Sequence, residues 1–162
     1  MTPKPCSISA LILFASFTIA HAAVAPASDP KTVIEYAKAA ESDPLGSDAR
    51  SQLTEAMRFI DNDHTNHVLL CNQLYQELSH YKTPDAGIIK VQYMASTGAF
   101  LYEHPEAASD SIAQNVAGLR AALHVYEKLL AVDPGVRSRF LDKMEKEENS
   151  GTLSEALAKL CK

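Results

Sequence analysis

The chain has 162 residues, 46% of them hydrophobic, with no tryptophan and a formal charge of −5. A mildly acidic chain is a poor candidate for nucleic acid, whose phosphates call for basic surface. Its length suits one domain with a proper core and is short for two.

Residues 1–22 read as a secretory signal peptide. Lys4 supplies a weak positive start, Ile8 to Ile19 an apolar core broken only by small and hydroxyl residues, and Ala20-His21-Ala22 a small-residue cleavage site. The apolar run falls short of the roughly 20 residues that a membrane span needs, and Cys6 precedes it, so a lipid anchor is not expected. The expected location is periplasmic or secreted, without stable membrane insertion.

Residues 23–30, AVAPASDP, read as a flexible linker ahead of a single helical domain over 31–162. Asp29 or Thr32 can cap a first helix carrying Val33, Ile34, Tyr36, Ala37 and Ala40, which stops before Asp43-Pro44. Ser47 or Asp48 starts a second, with Leu53, Ala56, Met57 and Ile60 on one face, and Asp61-Asn62-Asp63 breaks it. Val68, Cys71, Leu74, Tyr75 and Leu78 fall at the spacing of a third helix, ended by the turn Thr83-Pro84-Asp85-Ala86-Gly87. The fourth runs from about Asp85 to Tyr102, and its stripe Ala95, Gly98, Ala99, Tyr102 admits close approach by another helix. Ser109 or Asp110 opens a fifth helix that ends at Asp133-Pro134-Gly135. Val136, Phe140, Leu141 and Met144 mark a sixth, and Leu153 to Cys161 a seventh. No segment shows sustained two-residue alternation. The expected class is all-α, with about six to seven helices in antiparallel hairpins or an irregular bundle.

Beyond the leader only Cys71 and Cys161 remain, and two cysteines in an exported chain read as one disulfide. Both lie on apolar helical patterns, which meet in a core. A bridge closing a loop of about 90 residues contributes roughly 4 to 5 kcal/mol in the chain-entropy treatment.

The segment Leu119-Arg120-Ala121-Ala122-Leu123 is echoed 34 residues later by Leu153-Ser154-Glu155-Ala156-Leu157, and Tyr36–Pro44 is similar to Tyr126–Pro134. With Ala122, Tyr126, Leu129 and Pro134, the stretch Glu103 to Val136 resembles one tetratricopeptide repeat. That resemblance implies stacked hairpins with a surface that binds peptides or proteins.

Three groups of side chains invite a chemical reading. If helical, Asp61-Asn62-Asp63-His64-Thr65-Asn66-His67 would put Asp63, His64 and His67 together as ligands for Zn²⁺ or Cu²⁺; its helix-breaking composition argues for a capped turn instead. His104 and His124 are acid–base candidates, each with a bland alternative as helix-end or boundary residues. Tyr81, beside a turn, and the basic pair Arg137 and Arg139 are candidate recognition residues. No nucleophile, base and orienting group fall into a recognisable set. The expectation is therefore an exported, non-enzymatic protein-binding module of the bacterial cell envelope, with an inhibitor or immunity protein as a specific form. The alternative is a periplasmic metal-binding protein, and the expected partner of the first is another envelope or secreted protein.

Overall fold

A computed structural model of the protein describes residues 23–80, 83 and 86–162. The expected leader, residues 1–22, and Tyr81 lie outside that described part. The described residues form seven α-helices and no strand: α1 Pro30–Ser42, α2 Ala49–Asn62, α3 Asn72–Glu77, α4 Gly87–Glu103, α5 Ser111–Val132, α6 Arg139–Asn149 and α7 Leu153–Leu160. Short 3-10 turns at Pro105–Ala107 and Pro134–Val136 flank α5.

The helix boundaries follow local chemistry. Asp29 accepts the Thr32 N–H at 2.8 Å and Pro30 supplies the first turn of α1, a cap of about 1 kcal/mol. Asp110 does the same for α5 through the Ala113 N–H, and Ser138 for α6 through Leu141. At the other end of α1, the Lys128 ammonium donates to the Glu41 and Ser42 carbonyls at 2.9 and 2.6 Å, filling acceptors that a helix end leaves open. Gly151, at φ 75, turns the chain from α6 into α7.

Helices α4 and α5 are the central pair. Their approach depends on Gly118, where a Cβ would stand 2.6 Å from the Tyr93 carbonyl oxygen and 2.0 Å from Thr97 Oγ1. Helices α1 and α2 pack on one another and on α4. The small stripe on α4 serves α2 as expected: Ile60 lies over Gly98, and Phe59 meets Tyr102 edge-on at 5.9 Å. Helices α6 and α7 close the other flank against α5 through Leu141, Met144, Leu153 and Leu157, all buried. Burial of each such side chain contributes about 1.5 to 3 kcal/mol.

Two features differ from the sequence reading, the N-terminal segment and the third helix. The segment expected to be a loose linker has no regular structure but is held down: Ala27 is buried, and the Tyr36 hydroxyl donates to the Ala25 carbonyl at 2.7 Å. The stretch Glu103 to Val136 runs from the last residue of α4 through a 3-10 turn, α5 and a second 3-10 turn. The third helix is far shorter than its apolar spacing suggests, because residues 63–71 are not helical and only Asn72–Glu77 are. Cys71 is bonded to Cys161, with Cα atoms 5.4 Å apart, so the disulfide ties the end of this non-helical segment to the end of α7.

Candidate protein-docking site

Why residues 63–71 leave the helix is written in their hydrogen bonds. The Asp63 carboxylate accepts the Thr65 and Asn66 N–H groups at 2.8 and 3.3 Å, the Asn66 amide at 2.9 Å and the Tyr102 hydroxyl at 3.0 Å. Side chains that bond nearby backbone in this way offer it an alternative to the helix. The Asn66 and Thr65 bonds hold the Asp63 carboxyl at about 2, well below its ordinary value. Burial, with Asp63 as its partner, pushes the Tyr102 phenol upward.

Farther along, two side chains of α5 act as surrogate backbone. Gln114 Oε1 accepts the Leu69 N–H at 2.9 Å, while its amide nitrogen is anchored on the Ala107 and Ala108 carbonyls of the 3-10 turn. Asn115 bridges two residues: its Nδ2 donates to the Leu69 carbonyl at 2.6 Å, and its Oδ1 accepts the Cys71 N–H at 2.8 Å. Tyr93 of α4 donates its hydroxyl to the same Oδ1 and stands 3.3 Å from the Cys71 nitrogen. Gln114 and Asn115 are 0% and 1% exposed, and the bonds that meet at the Cys71 N–H form in a dry interior where electrostatic attraction is strong. The same burial pushes the Tyr93 phenol up to about 12.

Leu69 and Cys71 therefore turn their N–H groups inward, with the two-residue period of an extended chain. Val68 and Leu70, on either side of Leu69, have no hydrogen bond among the described residues. Leu69 and Leu70 are 37% and 39% exposed, and His64 and His67 are exposed beside them. The result is an extended segment fixed along one edge by α4, α5 and a disulfide, with the other edge and two leucines facing out.

The sequence-derived candidates fall elsewhere or change role. Asp63, His64 and His67 share no helical face, because the segment is a turn; Asp63 spends both carboxylate oxygens on that turn. Among the described residues no three His, Cys, Asp or Glu side chains come together in a metal-holding arrangement. Of the two forms expected for this stretch, it takes that of the capped turn. Arg137 donates to Asp142 at 3.1 Å and lines a cleft of about 360 Å³ with Glu77, His80, Thr83 and Phe140. Asp142 also receives the Tyr126 hydroxyl at 2.6 Å, so this arginine is held by a core-anchored network. Arg139 is exposed and does not line that cleft. His104 faces Glu106 at 3.0 Å and His124 faces Glu41 at 2.6 Å, both as exposed surface pairs.

Tyr93, Gln114 and Asn115 were not singled out by sequence reasoning. One signal pointed to them: Asn115 precedes Leu119 and Ala122 by four and seven residues on the apolar stripe of α5. An amide in such a stripe is buried, and a buried amide needs partners. No protein-family model matches this chain, and neither the curated proteins nor the solved structures include a significant match to it.

Proposed function

We propose that the protein is an exported, non-enzymatic helical binding module of the bacterial cell envelope, which docks another envelope or secreted protein through residues 64–70, as an inhibitor or immunity protein would. One observation carries this reading: Leu69 and Leu70 are exposed at the end of a non-helical segment, yet the backbone at Leu69 and Cys71 is clamped by buried side chains. A segment held in its bound shape before binding avoids the ordering cost of about 0.5 to 1.5 kcal/mol per immobilised side chain. Exposed leucines beside unpaired main-chain groups suit protein contact by strand pairing. The disulfide is of the kind favoured in oxidising compartments, which agrees with export.

Site-specific photo-cross-linking tests the docking face. A benzoylphenylalanine in place of His67 should trap a partner in cells, while the same group in place of Val132, roughly 25 Å farther along α5 than Asn115, should not. Trapping from Val132 and none from His67 would move the docking face away from this segment.

A further inference from the structure

We infer that the cleft between α6 and α7 binds a zwitterionic dipeptide with apolar side chains, at a site separate from residues 64–70 and independent of the docking reading. The two helices are joined by Ser150, Gly151 and Thr152 alone, and the joint is closed by hydrogen bonds: the Thr152 N–H reaches the Glu147 carbonyl at 2.8 Å, and the Gly151 N–H the Glu148 carbonyl at 3.0 Å. Both helices pack on α5. Between them they leave a cleft of about 470 Å³, within the size range of small-ligand sites. Its floor is apolar, with Met144 buried and Phe140, Ala156 and Leu160 half-buried.

The charged side chains that line this cleft are sorted by sign. Glu147 and Glu155 lie near the joint, one on each helix, while Lys143 and Lys159 lie four residues farther from it on the same helices, about 6 Å along each axis. Two carboxylates thus share one end of the cleft and two ammonium groups the other. Charges four residues apart on one helix often pair, but the Glu147 carboxylate is held by the Thr152 hydroxyl at 2.6 Å, and Lys143, Glu155 and Lys159 have no ion-pair partner among the described residues. A ligand with a cationic end toward the joint and an anionic end toward the mouth relieves both like-charge repulsions at once. A simple anion or a simple cation relieves only one and meets repulsion at the other end. The spacing also sets the length, since about 6 Å corresponds to two residues of extended chain at about 3.3 to 3.6 Å each. A single amino acid holds its two charges too close together to reach both ends. In the dipeptide, the amino end lies on Glu147 and Glu155, the carboxylate on Lys143 and Lys159, and the side chains on the apolar floor.

The test titrates the disulfide-intact protein with Leu-Leu, read by calorimetry and by the amide NMR signals of residues 140–160. The expected result is saturable one-to-one binding, with the Ala156 and Lys159 amides among those that shift. Acetylating the amino end, amidating the carboxyl end or replacing Leu-Leu by free leucine should each weaken binding about tenfold or more, the loss of more than one charge contact. Gly-Gly, with the same charges and no side chain to bury, should also bind about tenfold more weakly or worse. Lys159→Gln and Glu155→Gln, both at exposed positions, should each weaken Leu-Leu about three- to fivefold, the upper range for an exposed ion pair, with unchanged melting temperatures. The two effects should separate by end: acetyl-Leu-Leu should be indifferent to Glu155→Gln and sensitive to Lys159→Gln, and Leu-Leu amide the reverse. Unmoved amides at about 10 mM Leu-Leu, where even a millimolar site is largely filled, overturn the inference. Equal affinity for free and blocked peptides, or for leucine and Leu-Leu, overturns it as well.

Discussion

Replacing Asn115 with alanine isolates the clamp from the rest of the fold. The side chain is 1% exposed and joins four groups: the Cys71 N–H at 2.8 Å, the Leu69 carbonyl at 2.6 Å, the Ser111 carbonyl at 2.5 Å and the Tyr93 hydroxyl. Alanine removes all four bonds and strands the Cys71 N–H and the Tyr93 hydroxyl away from water. These two can partly satisfy each other, since they already stand 3.3 Å apart. The Ser111 carbonyl belongs to α5, and the Leu69 carbonyl is close to solvent, so their losses are small. A stranded buried group costs about 1 to 3 kcal/mol and a lost bond about 1, which together give a destabilisation of about 2 to 4 kcal/mol. Urea unfolding at neutral pH measures it, with an unchanged m-value showing that the transition is the same one. Hydrogen exchange supplies the second readout: the Cys71 amide should lose protection while those of α4 keep theirs. A loss below about 0.5 kcal/mol with the Cys71 amide as protected as before would refute the reasoning, because these bonds would then not be what holds the segment.

Gly118→Ala should destabilise by about 1 to 3 kcal/mol or more, since the new methyl meets the Tyr93 backbone carbonyl as well as Thr97 Oγ1, and the backbone cannot swing aside; Gly87→Ala, with nothing within 4 Å, should be neutral or raise the melting temperature slightly. Reducing the disulfide, or replacing Cys71 and Cys161 together with serine, should lower the unfolding free energy by about 4 to 5 kcal/mol on the loop-closure argument, read from the urea midpoint. The Asp63 carboxyl is held at about 2 in the folded chain, so its contribution is complete above the ordinary value of 3.8 and is lost as pH falls from there through about 2. Asp63→Asn should remove that part of the acid sensitivity in a series of melting curves. Glu145 moves the other way: burial, and then the facing Glu127 carboxyl, raise its value, so its ionisation opposes folding as pH rises above 4.5. Glu145→Gln should therefore raise the melting temperature at neutral pH and change it little in acid.

Much of the helical frame was legible because its signals are local. Asp29 with Pro30, Asp110, and the Asp133-Pro134-Gly135 stop act within a few residues of themselves, and each ends up where the sequence puts it. The small stripe around Gly98 announced a close helix, although only the structure names Ile60 of α2 as its partner. The pairing of Cys71 with Cys161 was legible from number alone, for two cysteines leave one connectivity. What escaped was decided at long range. Val68 to Leu78 has the spacing of a helix, but Gln114 and Asn115, more than forty residues away in sequence, take its backbone bonds at Leu69 and Cys71. No window along the chain contains both sides of that competition. For the same reason the candidate site shifted: reasoning from charge and histidine spacing led to Asp63, His64, His67, Arg137 and Arg139, whereas the clamp is made of neutral amides and a phenol. Alanine-rich composition likewise hid the docked Ala27, whose burial depends on a surface assembled from other parts of the chain.

The clamp draws on two helices at once, Tyr93 from α4 and Gln114 and Asn115 from α5, and so it cannot exist before those helices have packed across Gly118. Folding order follows: residues 64–71 should condense late, after the loop between them and α5 has closed. A collapsed but unfinished chain would have most of its helices and none of its docking edge. Binding would then report completion of the fold in an all-or-none manner, and by mass action a partner present at a hundred times its dissociation constant would stabilise the finished state by about 2.7 kcal/mol. The partner would act, in effect, as the last element of the fold.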